Sequence, residues 1–99
     1  MNIKPQCKKN NVEIRFCPKC KWLFRATWIS QELFSTFESD LDSIKLVQSD
    51  SGVFEVYCNK NIIFSRQVEK GFIDIAIIKQ RLRDIIDPER DLGHTDNVR

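Results

Sequence analysis

Across four residues near the start of the chain, Cys17-Pro18-Lys19-Cys20, the spacing of apolar side chains changes period. Before them, Val12-Glu13-Ile14-Arg15-Phe16 alternates apolar and polar, the period of a strand with one buried face. After them, Trp22, Ala26, Ile29, Leu33 and Phe37 recur every three or four residues. At about 100° per residue these form one stripe of a helix over about residues 21–37, with Leu23, Ser30 and Phe34 beside it. Pro18 does not suit a strand interior but is tolerated in a helix's first turn. A strand therefore hands over to a helix at the Cys-x-x-Cys, which limits the chain to folds that pack helices on a sheet.

The remaining pattern extends this. Ile44-Lys45-Leu46-Val47-Gln48 reads as a second strand and Ser49-Asp50-Ser51-Gly52 as a turn. Val53-Phe54-Glu55-Val56-Tyr57-Cys58 is a β-prone run, linked by Asn59-Lys60-Asn61 to a partner strand at Ile62-Ile63-Phe64-Ser65. Glu69-Lys70-Gly71 reads as a loop. Ile75, Ile78, Leu82 and Ile85 mark a second helix over about residues 73–86, which Pro88 stops. The charged run Lys79-Gln80-Arg81-Leu82-Arg83-Asp84 reads as its solvated face. The order is β-α-β-β-β-α, a single α/β domain over residues 1–99. Its core is expected at about 11–87, with a poorly ordered lead-in at 1–10 and tail at 88–99. A strand, helix and strand in succession favour a right-handed parallel crossover, and the hairpin then adds antiparallel strands. The layout expected is a thioredoxin-like sandwich with a four-stranded mixed sheet.

Bulk properties narrow the function classes. The chain has 16 basic and 14 acidic residues and a net charge of +2, too small an imbalance to mark a nucleic-acid surface. No apolar run reaches the roughly 18 residues of a membrane span. The first residues have no apolar stretch of signal-peptide length, so the expected compartment is the cytoplasm. Thiols stay reduced there, and four cysteines read as redox thiols, metal ligands or packing residues rather than a disulfide framework. A zinc site needs a second ligand pair. Cys7 and Cys58 are not paired in sequence, and the lone His94 lies in the tail, so no metal centre is expected. Cys58, inside a β run, reads as a small apolar core residue, and Cys7 as a bystander.

Two sulfurs one helical turn apart can close a disulfide. At a helix N-terminus, unpaired N–H groups and the dipole stabilise an anion such as a thiolate. A free thiol titrates near about 8.5, so modest stabilisation raises its reactive fraction several-fold. On this reading Cys17 is the exposed nucleophile and Cys20 the resolving thiol. Pro18 and Lys19 shape the surface around them. The expected activity is thiol–disulfide oxidoreduction on protein thiols or glutathione. The alternative is a non-catalytic, redox-responsive interaction module.

The run Val12–Cys20 resembles the opening of the selenoprotein W family, within the group that includes selenoproteins T and H. Gly52-Val53-Phe54-Glu55-Val56 resembles that family's G-x-F-E-V strand, and Ser65-Arg66 with Gly71-Phe72 its next segment. Pro88–His94 resembles the ending of bacterial members. The resemblance spans about residues 11–94. It implies a thioredoxin-like fold and a redox role that is linked to glutathione, with no resident cofactor. Selenium-containing members carry selenocysteine at the second motif position, where this chain has Cys20. Classical thioredoxins place a cis-proline opposite the dithiol, whereas the prolines here are Pro5, Pro18 and Pro88.

Three aromatics complete the candidate site. Phe24 and Trp28 lie four apart on the first helix, roughly opposite its apolar stripe. They read as a surface for a partner or a homodimer contact, or as residues covered by another element. Phe72 reads as core packing or as a neighbour of the dithiol, and Arg66 as a solvated loop residue or a contact for a glutathione carboxylate.

Overall fold

The computed structural model describes residues 10–97. Strand β1 (Asn10–Phe16) leads through a short 3-10 turn (Pro18–Cys20) to helix α1 (Leu23–Thr36). Strands β2 (Leu41–Gln48), β3 (Phe54–Cys58) and β4 (Asn61–Ser65) follow. A single-turn helix α2 (Arg66–Glu69), helix α3 (Ile75–Ile86) and a second 3-10 turn (Gly93–Asn97) complete the order. The sheet runs β2-β1-β3-β4, with β1 and β2 parallel and the other pairs antiparallel. This is the mixed four-stranded sheet read from the sequence, with the crossover through α1 delivering β2 beside β1.

The period-2 pattern of β1 and β3 decides the layering. Val12, Ile14 and Phe16 lie on the same face as Phe54, Val56 and Cys58, and all six are buried. Against that face pack Ala26, Ile29 and Leu33 of α1 and Ile78 and Leu82 of α3. Both helices share it, so the molecule has two layers. The opposite face keeps a polar surface of Glu13, Arg15, Ser43, Lys45 and Tyr57 around an open hollow of about 600 Å³. In β4 the register skips a residue, pairing Tyr57 with Ile62 and Val56 with Phe64. This bulge turns the successive residues Ile63 and Phe64 both inward. Arg81 donates to the Ile63 carbonyl beside it (2.8 Å).

Four readings from the sequence need correction. Strand β2 begins at Leu41, and at the sheet edge Leu46 stays exposed although it pairs with the buried Ile14. Residues 66–69 form a helical turn, capped by the Ser65 hydroxyl accepting from the Val68 N–H (3.3 Å). In α3, Ile85 is exposed and Ile86 meets the core instead. The charged run of α3 is not a solvated face. Gln80 and Arg83 are 2% and 7% exposed, because residues 90–96 fold back over them. Gln80 donates to the Thr95 carbonyl (2.6 Å), and Arg83 bonds Asp96 (2.7 Å) and the Arg90 carbonyl (2.9 Å). Arg90 reaches on to Asp40 at the start of β2 (2.6 Å), and Leu92 packs on the core. The tail read as loose is thus, through Asp96, a strap over α3. Cys7 and most of the lead-in lie outside the described residues.

Candidate functional site

The end of β1, the β2–β3 turn and the start of α2 converge on the dithiol. The Cys17 N–H donates to the Val53 carbonyl (2.9 Å), which holds the motif against the turn leading into β3. Pro18 opens a separate 3-10 turn that closes when the Lys21 N–H donates to the Pro18 carbonyl (3.2 Å). Lys21 then takes a left-handed conformation (φ 62°), and α1 starts only at Leu23. The motif is therefore not the first turn of α1, as its spacing suggested. The amides that serve the sulfurs come from the motif itself and from the facing turn.

Burial reverses the expected exposure of the two sulfurs. Cys17 is 1% exposed, whereas Cys20 is half-buried. The Cys20 thiol donates to the Cys17 sulfur, which is the main reason that Cys17 titrates below an ordinary thiol. Burial opposes this, and the backbone amides of Gly52, Cys20 and Lys19 add to it. Cys20 is pushed up by the same hydrogen bond and by its own burial, and is eased down by the Gly52 amide and the Arg66 charge. Cys17 is thus the more acidic thiol of the pair, and the two titrate together. Cys58 is fully buried and pushed up by burial alone, as a packing residue should be. Among the described residues no cluster of three His, Cys, Asp or Glu side chains could hold a metal ion.

Gly52 was missed as a site residue, and Arg66 was read as a solvated loop residue or a glutathione contact rather than as a partner of the turn that faces the sulfurs. Gly52 follows the Ser49-Asp50-Ser51 turn at φ 78°, a left-handed conformation that glycine adopts at little cost. Its amide serves both sulfurs, and its carbonyl accepts from Arg66 Nε (3.2 Å) and Nη2 (3.1 Å). The Arg66 guanidinium also lies over the Trp22 ring, 5.0 Å from its centroid. It is not a solvated loop arginine but a clamp between the turn and the aromatic that follows the motif. Local sequence carries no sign of this, since Gly52 and Arg66 meet only after β3 and β4 pair.

Phe72 lies in an aromatic cluster with Trp22 (5.2 Å), Phe54 (5.2 Å) and Phe64 (6.2 Å), so it is core packing that also backs Trp22, two residues after the dithiol. Arg25 stacks on its outer side, 3.8 Å from the ring centroid. Phe24 is 85% exposed and Trp28 47%, its inner side turned toward Phe72 and Ile75. With Lys21, Trp22 and Arg25, Phe24 and Trp28 line a shallow hollow of about 360 Å³. Pro18 and Lys19 are exposed at the tip of the motif.

A family model described as the Rdx family matches residues 11–84. The crystal structure of a selenoprotein W-related protein from Vibrio cholerae is 40% identical. It superposes with a TM-score of 0.78, over 81% of this chain and 100% of that one. A crystal structure of a protein from Bordetella parapertussis is also 40% identical, with a TM-score of 0.76 over 79% of this chain and 99% of that one. No curated protein sequence is similar enough to count as a match. The sheet order and helix placement are those of the thioredoxin-like fold of such proteins. The motifs at Val12–Cys20 and Gly52–Val56, the fold and the family match agree, and the chain belongs to the Rdx family, among the selenoprotein W-related proteins.

Proposed function

We propose that this chain is a thiol–disulfide redox protein working through Cys17 and Cys20. The observation that carries the reading is the placement of the pair: Cys17 and Cys20 lie close together at the end of β1, both free, one buried and one partly exposed. Access and charge reside on different sulfurs, which orders the steps. Cys20, the partly exposed thiol, attacks one sulfur of a disulfide R–S–S–R′ and passes its proton to the Cys17 thiolate. A Cys20–S–S–R mixed disulfide forms and R′–S⁻ leaves. Cys17 then gives that proton to the departing R′–S⁻ and attacks the Cys20 sulfur, which closes the internal disulfide and releases R–S⁻. The substrate gains two electrons and the dithiol loses them. A thiol reductant, with glutathione as the candidate, returns the pair to the dithiol. A reducing compartment such as the cytoplasm suits free thiols. No helix among the described residues is long and apolar enough to cross a membrane.

Trapping tests the order. Cys17→Ser keeps the attacking sulfur and removes the resolving one, so it should accumulate mixed disulfide with glutathione disulfide by mass spectrometry. Cys20→Ser keeps only the buried sulfur and should accumulate little. Rapid trapping by Cys20→Ser alone would restore Cys17 as the nucleophile, and no reaction by the wild type would end the redox reading. The exposure of Phe24 and Trp28 favours a second reading, a redox-responsive interaction module. It predicts tight partner binding with negligible turnover.

A further inference from the structure

We infer that the surface around the dithiol selects protein disulfides set in acidic, apolar segments. This rests on the redox reading above and names its substrate class. From Ile14 to Gln31 the sequence has Arg15, Lys19, Lys21 and Arg25 but no Asp or Glu. All acidic residues of the chain lie within residues 10–97, so the partners of these cations are visible among the described residues. Arg15, Lys45, Lys79, Arg81, Arg83 and Arg90 each pair with a carboxylate. Among the described residues Lys19, Lys21 and Arg25 form no such pair, and neither does Arg66 beneath the facing turn. Lys60, at the β3–β4 hairpin, and Lys70, at the end of α2, also lack one. The nearest acidic side chain in the facing turn is Asp50, which is exposed and bonds to none of these cations.

The same surface is apolar where it is not basic. Leu23, Phe24 and Trp28 are 52%, 85% and 47% exposed, and the hollow lined by Lys21, Trp22, Phe24, Arg25 and Trp28 begins at the residue that follows the partly exposed Cys20. A large aromatic left in water beside unpaired cations fits a partner that brings both apolar contact and carboxylates. A segment with Glu or Asp next to Leu or Phe, flanking its own disulfide, supplies both. Its carboxylates meet Lys19, Lys21 and Arg25, its apolar side chains cover Phe24 and Trp28, and its sulfur reaches Cys20. Charge would act mainly by raising the local concentration of the right disulfides.

The probes are short peptides that differ only in the residues flanking one cysteine, each linked through a disulfide to 2-thiopyridine. Release of the thiopyridone reports the attack step with the reduced full chain. The Glu/Leu peptide should react about tenfold faster than the Lys/Leu peptide at low salt. That advantage should collapse in 1 M salt, where the Debye length falls to about 3 Å. Lys19→Gln with Lys21→Gln should remove most of the advantage, whereas Lys45→Gln with Lys60→Gln, on the bare sheet face, should not. Phe24→Ser with Trp28→Ser should abolish the preference for Glu/Leu over Glu/Ser. Equal rates for acidic and basic peptides would overturn the inference and leave the redox reading intact, while no reaction with any probe would end the redox reading instead. The mixed disulfide of glutathione with 2-thiopyridine outpacing every peptide, or a dimer lost in Trp28→Glu, would assign the surface to a small anion or to a second copy and overturn it.

Discussion

The two ends of this molecule treat charge in opposite ways. Over α3, Arg83 is buried and satisfied by Asp96, Asp84 and the Arg90 carbonyl, and Arg90 by Asp40 and Asp87. Around the dithiol, Lys19, Lys21 and Arg25 carry no carboxylate partner, and Phe24 stands in water. A buried charge must be paired to be tolerated, so the α3 end is built for cohesion. The dithiol end leaves charge and apolar area unspent, which costs little at a surface and leaves both available to a partner. Substitutions should therefore separate, with folding sensitive at one end and reactivity at the other.

The largest folding effect is expected from Leu82→Ala, which empties a fully buried site on α3. It should cost about 2–5 kcal/mol in urea unfolding and leave the rate with a small neutral disulfide unchanged. A comparable loss of reactivity in the folded protein would break the separation. Arg83→Gln should lower the unfolding midpoint by less, because the strap loses one anchor while Gln80 keeps another.

That strap has a pH signature. Asp96 is held below the ordinary carboxylate range, first by its hydrogen bond to Arg83 and then by the Leu92 amide. Its folded pKa is depressed, so its stabilisation is complete above the unfolded value of about 3.9 and fades as pH falls through the folded one. Acid unfolding should steepen in wild type and flatten in Arg83→Gln.

At the other end, Arg66→Gln should move thiol alkylation to higher pH. Its charge eases Cys20 downward, and its bonds hold the Gly52 carbonyl of the turn that serves both sulfurs. The rate at neutral pH should fall about twofold to fivefold, the size of one partly exposed charge, with partial rescue in Arg66→Lys. An unchanged alkylation profile would reduce Arg66 to a packing residue. The smallest stability effect belongs to Phe24→Ser, within about 0.5 kcal/mol of wild type. A larger loss would mean that Phe24 is covered in solution.

Much of the fold was legible because burial writes a period into a chain. The alternation of Val12-Ile14-Phe16 and the stripe Ala26-Ile29-Leu33 located β1 and α1 correctly. The readings that failed share one cause. Leu46 at the edge, Ile85 on α3 and Arg83 beneath the strap have their environments set by elements far away in sequence. Of the site, the dithiol and its aromatic neighbours were readable as residues. Which sulfur meets solvent was not, because a 3-10 turn and a left-handed Lys21 replace the helix start that the spacing implied.

By itself, then, the sequence determined the order of the four strands and two long helices, the mixed sheet and the position of the Cys-x-x-Cys pair, because periodicity and motif spacing are local properties. Tertiary structure alone decided how that pair is tuned. The Gly52 amide and the Arg66 charge reach the sulfurs only when the β2–β3 turn and the end of β4 are folded against the end of β1. A hydrogen bond or a charge acts over a few ångströms of space, and no pattern along the chain encodes which distant residue will occupy them.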